Sequence, residues 1–175
     1  MKALVVYESI YGNTKQVAEA IGKALGEQYK VTVTEVGEAK YEALSEIDLL
    51  VVGGPTHLMG MSRRSSRDSA REAMKEQELV SKGVGVREWL DGLPKAANVN
   101  AAAFDTRAHK IWLVPMGAAA KGIASRLAAR GYKLVAEPEG FYIKHSEGPL
   151  DDGELDRAIQ WGRSLVKHQS KVSRK

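Results

Sequence analysis

Ser9-Ile10-Tyr11-Gly12-Asn13-Thr14 follows the apolar run Ala3-Leu4-Val5-Val6-Tyr7 almost directly and leads straight into a helical pattern. A strand that ends in a glycine-bearing turn and opens a helix has the build of an anion cradle. Gly12 permits backbone angles that a side chain forbids, and the helix offers N–H groups at its positive end that no helical carbonyl can reach. Such a turn holds a phosphate without any lysine. Ser9 and Thr14 add hydroxyl donors, and Asn13 either donates its amide or takes a left-handed conformation. The plainer reading is an ordinary strand-to-helix connection with Asn13 or Thr14 as the N-cap.

The rest of the chain is organised as the phosphate reading requires. From Thr14 to Gln28, apolar residues at Val17, Ala18, Ile21, Ala24 and Leu25 recur at helical spacing. Val31 to Val36 alternates as a half-buried strand, and Tyr41 with Leu44 suggests a short helix. Leu49 to Val52 is a continuous apolar strand stopped by Gly53-Gly54-Pro55, the pattern of a buried parallel strand. Ser62 to Gly83 reads as a loop plus an exposed helix, and Val86, Trp89, Leu90 and Leu93 as a short amphipathic helix closed by Pro94.

Ala101 to Phe104 is the fourth strand; Lys110 to Val114 is either sheet or packed loop. Gly117 to Arg130 is a helix ended by Gly131. Lys133 to Ala136 and Phe141 to Ile143 form a last strand interrupted by Pro138-Glu139-Gly140. Asp151 and Glu154 have capping-box spacing before a final helix striped by Leu155, Ile159, Leu165 and Val166. About five strands alternating with about five helices predict an α/β fold, a doubly wound five-stranded parallel sheet with helices on both faces.

Composition narrows the chemistry. The chain has 175 residues and no cysteine, so thiol redox, disulfides and cysteine-ligated clusters are excluded. His57, His109, His145 and His168 show no short ligand spacing, and no metal site is expected. No stretch resembles a membrane span or a signal peptide, so the expected place is the cytoplasm. The reading is one domain over 1–168 with a frayed basic tail over 169–175. The net charge of +4 lacks the aromatic and basic interleaving of a nucleic-acid surface.

In a doubly wound sheet, ligands bind beyond the C-terminal ends of the strands. Three segments meet that condition: Glu8 to Thr14, Gly53 to Ser62, and Asp105 to Arg107. Together they resemble the flavodoxin-like family of FMN-binding proteins. Ser9 to Thr14 matches the phosphate loop, Gly53-Gly54-Pro55-Thr56-His57 a loop beside the flavin ring, and Asp105-Thr106-Arg107 a weaker third element.

The resemblance implies FMN as cofactor. Ser9, Asn13, Thr14 and the N–H groups of the loop, which includes Ile10, Tyr11 and Gly12, would bind its phosphate. Pro55 and Thr56 would line the ribityl chain, and His57, Leu58 and Met59 would cover one ring face. Gly60 would let the backbone turn a carbonyl toward N5 of the semiquinone, while Phe104, Asp105, Thr106 and Arg107 would flank the second side. The chain departs from the family in offering few aromatic ring-stackers and in its sequence pI near 9.2.

Other residues have plainer readings. Arg63, Arg64, Arg67 and Arg71 read as a solvated face paired with Asp68 and Glu72, with a docking patch for an acidic protein or for the phosphate of a nicotinamide nucleotide as the second reading. Arg107 pairs with Asp105 or approaches the ring edge, and Trp89, Trp112 and Trp161 read as core. The expected function is a low-molecular-weight FMN electron carrier serving a reductase and an acceptor, with a monomer as the default state. The alternatives are an FMN-dependent NAD(P)H:quinone or small-molecule reductase and a non-redox ligand-binding domain.

Overall fold

The computed structural model describes residues 1–57, 60–73, 79–96, 98–109 and 117–172. β1 (Lys2–Tyr7), β2 (Lys30–Glu35) and β3 (Leu49–His57) are parallel, and β5 (Asn100–Ala108) continues the sheet beyond β3. With β6 (Lys133–Leu134) beyond β5, the order is β2-β1-β3-β5-β6, so the chain leaves β1 to one side for β2 and crosses to the other for β3. That reversal opens a crevice at the C-terminal ends of β1 and β3.

Alternate residues of the apolar runs feed two cores. Val5, Tyr7, Val51, Ala102 and Phe104 pack with α1 (Asn13–Leu25) and α5 (Glu154–Val172). Val6, Leu50, Val52, Ala101 and Ala103 pack with α3 (Val86–Asp91) and α4 (Ala119–Ala129). Both faces are covered, which explains why the central strands are apolar without a polar alternation. A short 3-10 helix, Tyr41–Glu46, and α2 (Arg64–Ala73) complete the described helices.

Four sequence expectations need correction. Gly53-Gly54-Pro55 does not end its strand: β3 runs on to His57, pairing Gly53 with Phe104 and Pro55 with Thr106. A Cβ on Gly53 would run into the Phe104 ring, so that glycine serves close approach and not termination. Asp105-Thr106-Arg107 is accordingly strand and not loop, because β5 extends to Ala108.

The last strand breaks before Glu139. β6 (Lys133–Leu134) and β7 (Glu139–Ile143) pair with successive lengths of the same edge of β5. Glu139 and Gly140 are thus inside β7, where the missing side chain of Gly140 leaves room for the Arg107 guanidinium.

Asp151 and Glu154 do not form a capping box either. The Asp151 carboxylate pairs with His109, and Glu154 accepts from the Tyr142 N–H at 2.6 Å and from Arg157. Tertiary partners outcompete the local cap. The sequence also gave no sign of β4 (Gly60–Met61), which folds back antiparallel on Thr56 and His57 with Gly60 at φ 85°. Gly131, at φ 88°, ends α4 as its position predicts. α5 continues to Val172, into the segment read as a frayed end. Lys110 to Val114, including Trp112, lies outside the described residues.

Candidate functional site

At the C-terminal end of the sheet lies a cavity of ≈ 400 Å³, within the range of small-molecule sites. Ser9, Ile10, Tyr11, Asn13 and Thr14 line it from the first loop, Pro55, Thr56 and His57 from β3, and Thr106 from β5. Nine of the residues singled out by sequence therefore meet around one space.

The first loop is built for an anion. Gly12 is the N-cap of α1 at φ 89° and supplies no side-chain cap, which sets aside Asn13 or Thr14 in that role. A Cβ at Gly12 would meet nothing within 4 Å, so the space above the turn is open. Ser9 Oγ accepts from the N–H groups of Gly12 (3.1 Å) and Lys15 (3.3 Å), which leaves its own proton to donate. The Thr14 and Thr106 hydroxyls share a 2.7 Å bond that ties α1 to β5. Asn13 is less available than its sequence position suggests: its amide donates to the Glu147 carbonyl at 2.8 Å and holds the turn after β7 against the loop.

Near the other end of this set, His57 lines the cavity, and its Nε2 is buried with no partner among the described residues. Burial, followed by the Arg67 charge, holds its pKa below the ordinary histidine value, so the ring is neutral at neutral pH. Tyr11 supplies an aromatic wall, and burial followed by the Glu147 charge raises its phenol. No described lysine or arginine lines the cavity.

The remaining expectations divide. Gly60 stands in the β3–β4 turn, and Leu58 and Met59 lie outside the described residues. Phe104 faces the α1/α5 core, edge-on to Phe141 and Trp161, and does not line the cavity. Asp105 is fully buried. Its Oδ1 accepts from Arg107 Nε at 2.6 Å and its Oδ2 from the Ala120 N–H at 2.8 Å, so it fixes the start of α4. Arg107 is thereby paired beneath the site, a support and not a wall. Burial raises the Asp105 pKa against the opposing charge of Arg107.

Sequence reasoning missed five lining residues. Ser66 and Ala70 come from α2, Ala108 and Ile143 from the ends of β5 and β7, and Ser146 from the turn that follows. Ser66 and Ala70 are small residues four apart in a charged helix, a signal of one face packed close to something. Ser146 follows a parallel strand's C-terminal end, where the rule applied to the other loops also holds.

Arg67 corrects the solvated-face reading. Arg64 and Arg71 do reach Asp68, at 4.0 and 3.4 Å. Arg67 is buried instead, donating to Ser62 Oγ at 2.9 Å and Glu88 Oε1 at 3.1 Å, and thereby seats α2 beside the cavity. Next to it, Glu8 is fully buried; its Oε2 accepts from the Val86 N–H at 2.8 Å and its Oε1 has no partner among the described residues.

Burial raises the Glu8 pKa against the opposing Ser62 hydroxyl, Val86 N–H and Arg67 charge. A raised carboxyl means that the folded state binds the proton more tightly, so its contribution is complete below the unfolded value and falls as pH rises through the folded one. Glu8→Gln is expected to raise the melting temperature more at pH 8 than at pH 4. An equal change at both values would show that the carboxyl is not proton-linked to folding.

Comparison with known proteins agrees with this architecture. A family model described as a flavodoxin domain matches residues 4–87. No curated protein matches the chain in sequence. Among solved structures, a flavodoxin from the domain Archaea is 24% identical, covering 95% of this chain and 97% of its own, with a TM-score of 0.65. Oxidised flavodoxin 1 from Bacillus cereus is 20% identical, with coverages of 96% and 99% and a TM-score of 0.69. Flavodoxin 2 from the same organism is 19% identical, with coverages of 95% and 99% and a TM-score of 0.68.

Proposed function

We propose that this chain, a flavodoxin-like protein, binds FMN in the cavity and works as a single-electron carrier between protein partners. The carrying observation is the left-handed Gly12 turn, which carries no side chain, leading into α1 where Asn13 and Thr14 line a ≈ 400 Å³ cavity. The residues fit the group: an uncharged loop of N–H and hydroxyl donors suits a phosphate, and the buried unpartnered Nε2 of His57 suits a polar ring edge.

Ser9 and the N–H groups of Asn13 and Thr14 would hold the phosphate, with Thr56 and Thr106 along the chain between phosphate and ring. Tyr11 and His57 would exclude water from the ring. When bound, FMN supplies the electron uptake and release, and the protein tunes it. His57, neutral at pH 7, accepts or donates one hydrogen bond at Nε2 according to its tautomer and brings no charge. No described lining residue is a carboxylate, cysteine or lysine.

A second reading, an FMN-dependent NAD(P)H reductase, draws support from α2, whose Ser66 and Ala70 add a wall that a second small molecule could use. Anaerobic reductive titration separates the two. The carrier takes up electrons in two resolved one-electron stages and is not reduced by NADH or NADPH alone. Rapid, saturable reduction by either nucleotide establishes the reductase instead.

A further inference from the structure

Three arginines come from three neighbouring elements. Arg63 directly precedes α2, Arg87 lies in the first turn of α3, and Arg126 lies in the last turn of α4. Arg87 is fixed in place: its Nε donates to the Ser62 carbonyl at 3.1 Å and its Nη2 to the Met61 carbonyl at 2.9 Å. Two of its five donors are thus used on backbone, and the guanidinium is held at the surface before any partner arrives. Ser62 directly precedes Arg63, and Arg126 reaches Asp91, four residues beyond Arg87 in α3, at 3.3 Å, so the three cations are neighbours; burial and then the charges of Arg126 and Arg63 lower the Arg87 pKa against Glu88 and Asp91.

The protein only partly neutralises this group. Asp91 reaches Arg126 at 3.3 Å. Glu88 is committed elsewhere, to buried Arg67 and to the Gly85 N–H. Arg63 is exposed and has no carboxylate partner among the described residues, and its neighbour Arg64 is 90% exposed. Cations that outnumber their counter-charges are a standing electrostatic cost in the free protein, and an anionic partner lowers it.

We infer that the face carrying Arg63, Arg87 and Arg126 docks an acidic protein. A small phosphate ligand suits it less, because neither described cavity is lined by any of the three, and a spread over three elements matches a protein-sized footprint. Placement gives the contact its use. Ser62, whose carbonyl anchors Arg87, also meets Arg67, the residue that seats the cavity-lining helix α2. A partner on this face therefore stands beside α2, the helix whose Ser66 and Ala70 wall the cavity, with orientation set by charge.

The test is a nitrogen-15 NMR titration of the chain without flavin, so that its outcome is independent of the cofactor reading. The probes are poly-L-glutamate, a short DNA duplex and NADP⁺. The expected result is that poly-L-glutamate shifts amides around Arg63, Arg87 and Arg126, with affinity falling at least ~10-fold as salt rises from about 20 to about 200 mM.

Arg63→Glu and Lys30→Glu change the net charge equally, and Lys30 lies exposed on β2. Arg63→Glu is expected to weaken binding at least ~5-fold and Lys30→Glu less than ~2-fold. Equal weakening by both, shifts on another face, or tighter binding of DNA or NADP⁺ to these same amides would overturn the assignment.

Discussion

Phe104→Ala is expected to destabilise the fold by about 3–5 kcal/mol, read as a lowered urea midpoint in the flavin-free protein. The ring is fully buried and stands edge-on to Phe141 at 6.2 Å and to Trp161 at 6.2 Å. It also lies over Gly53, whose missing side chain is the space that the ring fills. Truncation removes the apolar contacts and leaves a hole that a glycine backbone cannot close, which places the cost at the upper end for a core aromatic. The sequence reading put Phe104 against the flavin. A change below about 1.5 kcal/mol in the flavin-free protein would favour that role over the core one.

Gly12→Val is expected to reduce FMN affinity at least ~100-fold while leaving the protein folded. There is room for the new side chain, since a Cβ at Gly12 meets nothing within 4 Å. The obstacle is the backbone, because φ 89° is closed to a β-branched residue. The turn must rotate out of the left-handed region, and the N–H groups that open α1 no longer converge. Losing two hydrogen bonds to a charged group, at about 1.5–3 kcal/mol each, accounts for a change of that size. The cost to the fold is smaller, about 1–2 kcal/mol for strain at one loop residue.

What the sequence disclosed followed from periodicity and from glycine. Runs such as Ala3–Tyr7 and Leu49–Val52 are apolar throughout because both faces of the sheet are covered, and that made the parallel architecture legible. Gly12 and Gly131 have the positive φ that their positions imply. The same residue type misled at Gly53, where it accommodates a neighbour's ring inside a strand, a cause that no local pattern contains.

The site shows the same division. Loop residues next to strand ends were readable, since topology alone delivers them to the crevice. Asp105 and Arg107 were not, because the choice between ligand and support depends on the start of α4, and the Ala120 N–H reaches Asp105 only in three dimensions. Arg67 differs from Arg64 and Arg71 for a similar reason: Gly85 leaves space for its guanidinium, and Glu88 of α3 receives it.

The central claim is that Ser9 to Thr14 holds a phosphate. It is tested most directly by titrating the flavin-free protein with FMN and with riboflavin, which differ in that phosphate alone, and following the quenching of flavin fluorescence. The loop geometry predicts FMN binding at least ~100-fold tighter than riboflavin, a preference that Gly12→Val abolishes. Equal affinities for the two flavins in the unsubstituted protein would contradict it.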